Sequence, residues 1–211
     1  MLLDLDNTLV DRDAAFRAAV ADFLDGHGLA AADVAWVMRL DAGGYAARPA
    51  VAAAMVERYG DVVPAAVRAL LHEGGADRVV LTEAARDALG EARADGWTCG
   101  IVTNGRTGQQ EAKIRNAGLD RLVQGWVVSE AVGRKKPDPA IFRAAAVAVG
   151  MPLEGAWIVG DSPGADIAGA HGLGLRSVWV SDGRPWDTDD YRPTHVAVDV
   201  ASAIRHIVRS A

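Results

Sequence analysis

Six short apolar runs separated by helical patterns constrain this chain more than any other feature. The runs are Leu2-Leu3-Asp4-Leu5, Thr98-Cys99-Gly100-Ile101-Val102, Trp126-Val127-Val128-Ser129, Ala156-Trp157-Ile158-Val159, Ser177-Val178-Trp179-Val180 and a weaker His195-Val196-Ala197-Val198. They do not alternate polar with apolar residues, so they read as strands buried on both faces. Residues 83–95 place Ala85, Ala88, Leu89 and Ala92 on one helical face, and residues 139–149 do so with Ile141, Phe142, Ala145 and Val149. The second helix is punctuated: Asp138 suits the N-cap, Pro139 the first helical position and Gly150 the stop. Strands alternating with helices imply an α/β fold, a doubly wound parallel sheet covered on both faces.

One stretch breaks the alternation. Residues 13–81 show helical periodicity, with a single strand-like run, Val79-Val80-Leu81, at the end. Phe16, Val20, Phe23 and Leu24 share one face; Val34, Val37, Met38 and Leu40 suit a second helix, and 46–58 and 64–73 two more. Asp41-Ala42-Gly43-Gly44 interrupts the block. This predicts a separate helical domain, 13–81, inserted into a core made of 1–12 and 82–211. Within it Trp36, Arg39, Tyr45 and Arg48 are candidate substrate contacts, set against the plainer reading of core and solvated surface.

Composition removes several function classes. The 211 residues include one cysteine, so no internal disulfide framework forms. A net charge of -6 argues against the basic face that nucleic acid requires. No apolar run approaches the roughly 20 residues of a membrane span, and no signal-peptide pattern opens the chain. The expectation is a soluble cytoplasmic protein that binds neither nucleic acid nor membrane; its oligomeric state is not encoded in any pattern found.

Polar residues gather at the carboxyl ends of the runs: Asp4, Asp6 and Thr8 after the first, Thr103, Asn104 and Gly105 after the second, Lys136 after the third, Asp161 and Asp166 after the fourth. Ligands of open parallel sheets bind at that edge. Four carboxylates and one lysine brought together there repel by about 3 kcal/mol per carboxylate pair at roughly 5 Å and an effective dielectric near 20. Such a cluster wants a divalent cation, and hard oxygen ligands without His or Cys suit Mg²⁺. A carboxylate on the metal could attack phosphorus as a nucleophile, and Asp6 could shuttle the proton. The N–H groups of Asn104 and Gly105 could hold phosphate oxygens, and Lys136 could neutralise the charge between nucleophile and phosphate.

The residues resemble the haloacid dehalogenase (HAD) superfamily at four places. Asp4-Leu5-Asp6-Asn7-Thr8-Leu9 resembles its motif I, Ile101-Val102-Thr103-Asn104-Gly105 motif II, Lys136-Pro137-Asp138-Pro139 motif III and Gly160-Asp161-Ser162-Pro163-Gly164-Ala165-Asp166 motif IV. All four stand in the family's order, over residues 1–12 and about 82–180. The resemblance implies a Rossmann-like sheet with an all-helical C1 cap inserted after motif I. It implies Asp4 as nucleophile and Mg²⁺ ligand, and Asp6 as general acid/base that lends its backbone carbonyl to the metal. Thr103, Asn104 and Gly105 would bind the phosphoryl group and Lys136 would hold both it and Asp4. Asp161 would ligate Mg²⁺ directly, with Asp166 ligating through water or supporting Lys136. Asn7 stands where motif I commonly has glycine.

The expected activity is Mg²⁺-dependent hydrolysis of a small phosphorylated metabolite through an aspartyl-phosphate. Alternatives are a phosphomutase, a 2-haloacid dehalogenase of the same superfamily, and a non-enzymatic phospho-accepting domain. Asp6 and the complete motif IV weigh against the dehalogenase. Only three residues precede Asp4, against the usual 5–6 of a strand. Either several apolar residues belong upstream, or Leu5 and the three preceding residues suffice.

Overall fold

The computed structural model describes residues 1–60, 62 and 64–210, and the chain divides into two compact units, 1–10 with 80–211 and 11–79. In the first unit the described residues form a six-stranded sheet: β1 (Leu2–Leu3), β2 (Gly100–Thr103), β3 (Gly125–Val128), β4 (Trp157–Gly160), β5 (Arg176–Val180) and β6 (His195–Ala197). Its order is β3-β2-β1-β4-β5-β6, with every pairing parallel. Chain direction across the sheet reverses between β1 and β4, the switch point where doubly wound folds open a crevice.

Strand β1 is shorter than the run that announced it. Leu2 and Leu3 pair with Gly100 and Ile101 on one side and Ile158 and Val159 on the other. The ladder continues one bond further on one side only, from Asp4 N–H to Val159 O at 2.8 Å. Leu5 O then accepts from the N–H groups of Leu9 and Val10, folding the chain into a tight turn. Asn7 in that turn has φ of 56°. Among residues with a side chain, Asn is one of the few that tolerate this left-handed region, which accounts for its standing where glycine is common. The run Val79-Val80-Leu81 likewise falls short of a strand; Leu81 makes only an isolated bridge to Val10.

The first unit's helices are α5 (Glu83–Ala94), α6 (Thr107–Asn116), α7 (Ser129–Val132), α8 (Pro139–Ala148), α9 (Ala168–Gly172) and α10 (Val200–Arg209), numbered after the four of the other unit. Asp138 caps α8 by accepting from Ala140 N–H at 2.9 Å, with Pro139 at its first position. The face Ile141, Phe142 and Ala145 packs on Leu2, Val102, Ile158 and Ala170. A fully buried side chain of this size is worth about 1.5–3 kcal/mol. All four residues of β2 and of β4 are buried, as strands covered on both faces require.

The second unit holds α1 (Arg12–Gly26), α2 (Val34–Asp41), α3 (Arg48–Arg58) and α4 (Pro64–Glu73). Phe16, Val20, Leu24, Val37, Val51, Met55, Val67 and Leu71 form its core. Asp41, fully buried at the Ala42–Gly44 break, ties three segments together. It accepts from Arg12 of α1, Arg48 of α3 and Gly44 N–H. Trp36 packs edge-on to Tyr59 beneath Arg58. Among the described residues no helix is long and apolar enough to cross a membrane.

Candidate active site

The switch point dictates which side chains meet. Asp4 leaves β1 and Asp161 leaves β4, its neighbour in the sheet, so the two emerge side by side. Asp166 arrives on a short π-helical turn, Pro163–Ile167, that Ser162 caps by accepting from Ala165 N–H. Lys136 comes from the loop after α7. Its Nζ donates to Asp4 Oδ1 at 2.6 Å and to Asp166 Oδ1 at 2.7 Å. The other Asp166 oxygen accepts from Ser162 N–H at 3.1 Å. Gly160 makes this packing possible: a Cβ there would lie 2.2 Å from Asp166 Cγ.

Asp4, Asp161 and Asp166 each offer a carboxylate oxygen within 4.8 Å of the others. Burial pushes Asp4 well above its ordinary pKa; Lys136 offsets part of that rise, while Asp166 and Asp161 add to it. Asp161 is pushed up to about 7, first by burial and then by Asp166, against the pull of Arg184 and Lys136. Burial alone would lower Lys136, but Asp166 and Asp4 reverse that and raise it. One ammonium among three buried carboxylates leaves negative charge in excess. An all-oxygen donor set carrying that excess fits a hard divalent cation such as Mg²⁺.

Asp6 points elsewhere. Lys113 Nζ of α6 donates to both of its carboxylate oxygens, at 2.7 and 2.8 Å, and Gln110 Nε2 donates to Oδ2 at 3.1 Å. Gln110 Nε2 also reaches Thr103 Oγ1 at 2.7 Å. Thus α6 links the motif II threonine to the second aspartate of motif I.

The loop after β2 is internally tied. Asn104 Oδ1 accepts from Lys136 N–H at 2.8 Å, and Asn104 Nδ2 donates to Lys136 O at 3.2 Å. Its amide therefore fixes the lysine's backbone. Gly105 N–H donates to Ser129 Oγ at 3.0 Å, and Gly105 φ is 154°. A Cβ at position 105 would lie 2.8 Å from Gln110 Cγ.

Sequence reasoning missed Gln110, Lys113, Ser129 and Arg184. Arg184 Nη2 donates to the backbone oxygen of Asp161 at 3.0 Å and to its Oδ2 at 3.2 Å. A compositional signal did exist for Lys113. The chain carries nineteen arginines and three lysines, at 113, 135 and 136. Two of those three lysines hold carboxylates of the site.

A profile of the haloacid dehalogenase-like hydrolases matches residues 1–180. A phosphoserine phosphatase of Thermus thermophilus is 42% identical over 102 residues, which is 48% of this chain and 41% of that protein. A glyceraldehyde 3-phosphate phosphatase of Pyrococcus furiosus is 35% identical over 105 residues, 50% of this chain and 44% of that protein. The matched segments thus span less than half the length of those relatives. Among solved structures, a HAD family hydrolase from Deinococcus radiodurans R1 with bound phosphate and sodium gives a TM-score of 0.72 at 23% identity, covering 99% of this chain and 94% of that one. That likeness speaks to the fold.

Proposed function

The chain belongs to the haloacid dehalogenase-like hydrolases, and on that premise we propose that it is a Mg²⁺-dependent phosphatase of small phosphorylated metabolites, working in the cytoplasm. The observation that carries the proposal is the Lys136 bridge between Asp4 and Asp166, with Asp161 beside it at the switch point. Asp4, Asp161 and Asp166 are the side chains that would hold Mg²⁺, with the Asp6 carbonyl; when bound, the ion supplies charge neutralisation at the phosphoryl oxygens.

Lys136 engages Asp4 Oδ1 and leaves Oδ2 to attack phosphorus. The P–O ester bond breaks, its electron pair passes to the leaving oxygen, and that oxygen takes a proton from the Asp6 carboxyl. Water then attacks the phosphorus of the aspartyl-phosphate and gives its proton to the Asp6 carboxylate. The bond from phosphorus to Asp4 breaks, restoring Asp4 and releasing inorganic phosphate. Thr103 Oγ1 and Asn104 N–H would bind the transferring group and Lys136 would offset its charge; Gly105 N–H, expected to share in this, donates to Ser129 Oγ instead. A 2-haloacid dehalogenase attacks carbon and has no use for a second motif I aspartate; Asp6 favours phosphorus. The two relatives named above are phosphatases of different esters, so the substrate is defined here by class alone, and residues 13–81 are proposed to select among its members.

The test is phosphate release across a panel of metabolite monoesters, with Mg²⁺ and with EDTA. Release that needs Mg²⁺ and is lost in Asp4→Asn supports the proposal. Isomerised ester without free phosphate would instead identify a mutase, and inactivity across the panel would oppose both.

A further inference from the structure

The Asp6–Lys113 pair lies outside the three-carboxylate cluster, and the phosphatase chemistry does not by itself call for it. Lys113 is one of the largest fully buried side chains of the protein, its side chain 2% exposed, while that of Asp6 is 27% exposed. Lysine is among the residues least often buried without a partner. Here its ammonium meets both oxygens of one carboxylate. The same carboxylate receives Gln110 Nε2, which at once donates to Thr103 Oγ1. Gln110 and Lys113 are three residues apart on α6, so they share a helical face. Gln110 is itself held from behind by Gly105, where any Cβ would clash with its side chain.

From this geometry we infer that Lys113 is a positioning residue for the proton-transfer steps, acting through Asp6. The inference rests on the phosphatase reading proposed above. A free Asp has two side-chain torsions, and general acid catalysis requires one carboxyl oxygen to lie on the leaving-group oxygen. Two charge-assisted bonds from Lys113 fix the plane of the carboxyl group; with Gln110 they occupy both lone pairs of Oδ2, so Oδ1 is the oxygen that keeps a lone pair for the proton of the leaving group. Gln110 then ties that orientation to Thr103, the last residue of β2. Lysine suits this place better than arginine. Its compact ammonium is a point charge that fills a narrow buried site, whereas a planar guanidinium needs room for a fork.

A merely structural ion pair would fit the same coordinates, so the test separates the two. In Lys113→Met, kcat/KM is measured with p-nitrophenyl phosphate, whose leaving group departs without a proton, and with phenyl phosphate, whose leaving group needs one. The expected loss is about tenfold to a hundredfold on phenyl phosphate, the scale of a catalytic group misplaced by an ångström, and no more than about a third of that on p-nitrophenyl phosphate. In an Asp6→Asn background the same Lys113→Met change costs nothing further. Equal losses on both esters, or a further loss in the Asp6→Asn background, overturn the inference and leave Lys113 a structural residue. A wild-type enzyme that releases phosphate from neither ester overturns the phosphatase reading and this inference with it. If Lys113→Met does not fold, Lys113→Gln keeps one donor to Asp6, and the same unequal losses, at smaller amplitude, are expected.

Discussion

Gly160→Ala places a single methyl group where the site has no room for it. Gly160 ends β4, is buried, and pairs with Trp179 of β5. The added Cβ would stand 2.2 Å from both Cγ and Oδ2 of Asp166 and 2.6 Å from its Cβ. Asp166 cannot swing aside cheaply. It is fully buried and held at one oxygen by Lys136, at 2.7 Å, and at the other by Ser162 N–H, at 3.1 Å. Overpacking of this kind costs about 1–3 kcal/mol. At about 2–4 °C per kcal/mol for a domain of this size, Tm should fall by about 2–12 °C. If Asp166 moves, Lys136 loses one of its two anchors, and a displacement of about 1 Å at Asp4 costs on the order of a hundredfold in rate. Gly90→Ala is the control. Gly90 lies exposed inside α5 with nothing near its missing Cβ, so alanine there should stabilise by about 0.5–1 kcal/mol. Calorimetric melting and phosphate-release kinetics on both variants decide the matter. Gly160→Ala with wild-type Tm and wild-type kcat would refute the claim that Asp166 is held in one place by this packing.

Three further outcomes are expected. Asp41→Asn should cost the helical unit about 3 kcal/mol, because it removes the buried charge partner of Arg12 and leaves that guanidinium only the half-exposed Asp13; urea unfolding followed by circular dichroism measures it. Burial alone would raise Asp41, but Arg12 and Arg48 outweigh it and hold the carboxyl below its usual range. The stability it lends is therefore full above the unfolded value of about 3.9 and drains away as pH falls through the lower folded value, an acid loss that Asp41→Asn should lack. Asp6→Asn should slow turnover by about 10²–10⁴-fold while Mg²⁺ binding persists, read by rapid-quench kinetics and calorimetric titration. Exchanging residues 13–81 for the helical insertion of another family member should reorder the substrate panel while beryllofluoride still binds; an unchanged order would count against a selective role for those residues.

The parts that the sequence announced share one physical basis: each is a local rule. Asp138 and Ser162 cap helices through bonds to residues two or three positions on, so their roles follow from neighbours in the chain. The runs of β2 and β4 are covered on both faces, as their unbroken apolar pattern announced, whereas β3 and β6 stand at the sheet edges and stay partly exposed. Strand ends are set by partners instead. Leu5 continues the apolar run of β1, yet the ladder ends earlier because the turn through Asn7 takes over its carbonyl. Val79-Val80-Leu81 has strand chemistry but finds only Val10 beside it. Lys113 and Gln110 were hidden for another reason. The sequence of α6 is polar on most faces, so its buried side reads as solvated, and only the carboxylate of Asp6, 107 residues away from Lys113, makes that side an interior one. Arg184 lies in an irregular segment after β5, where no periodicity singles out one cation among nineteen arginines.

The central claim is that Asp4 carries the phosphoryl group. Borohydride reduces an acyl phosphate to an alcohol, which converts a phosphorylated aspartate to homoserine, and peptide mass mapping then locates it. The measurement uses wild type and Asp6→Asn, quenched during turnover of a phosphate ester accepted in the panel. The account predicts homoserine at position 4, more of it in Asp6→Asn, where hydrolysis of the intermediate is slowed, and none in Asp4→Asn. Homoserine at a different aspartate, or steady release of phosphate with position 4 never reduced, would contradict it.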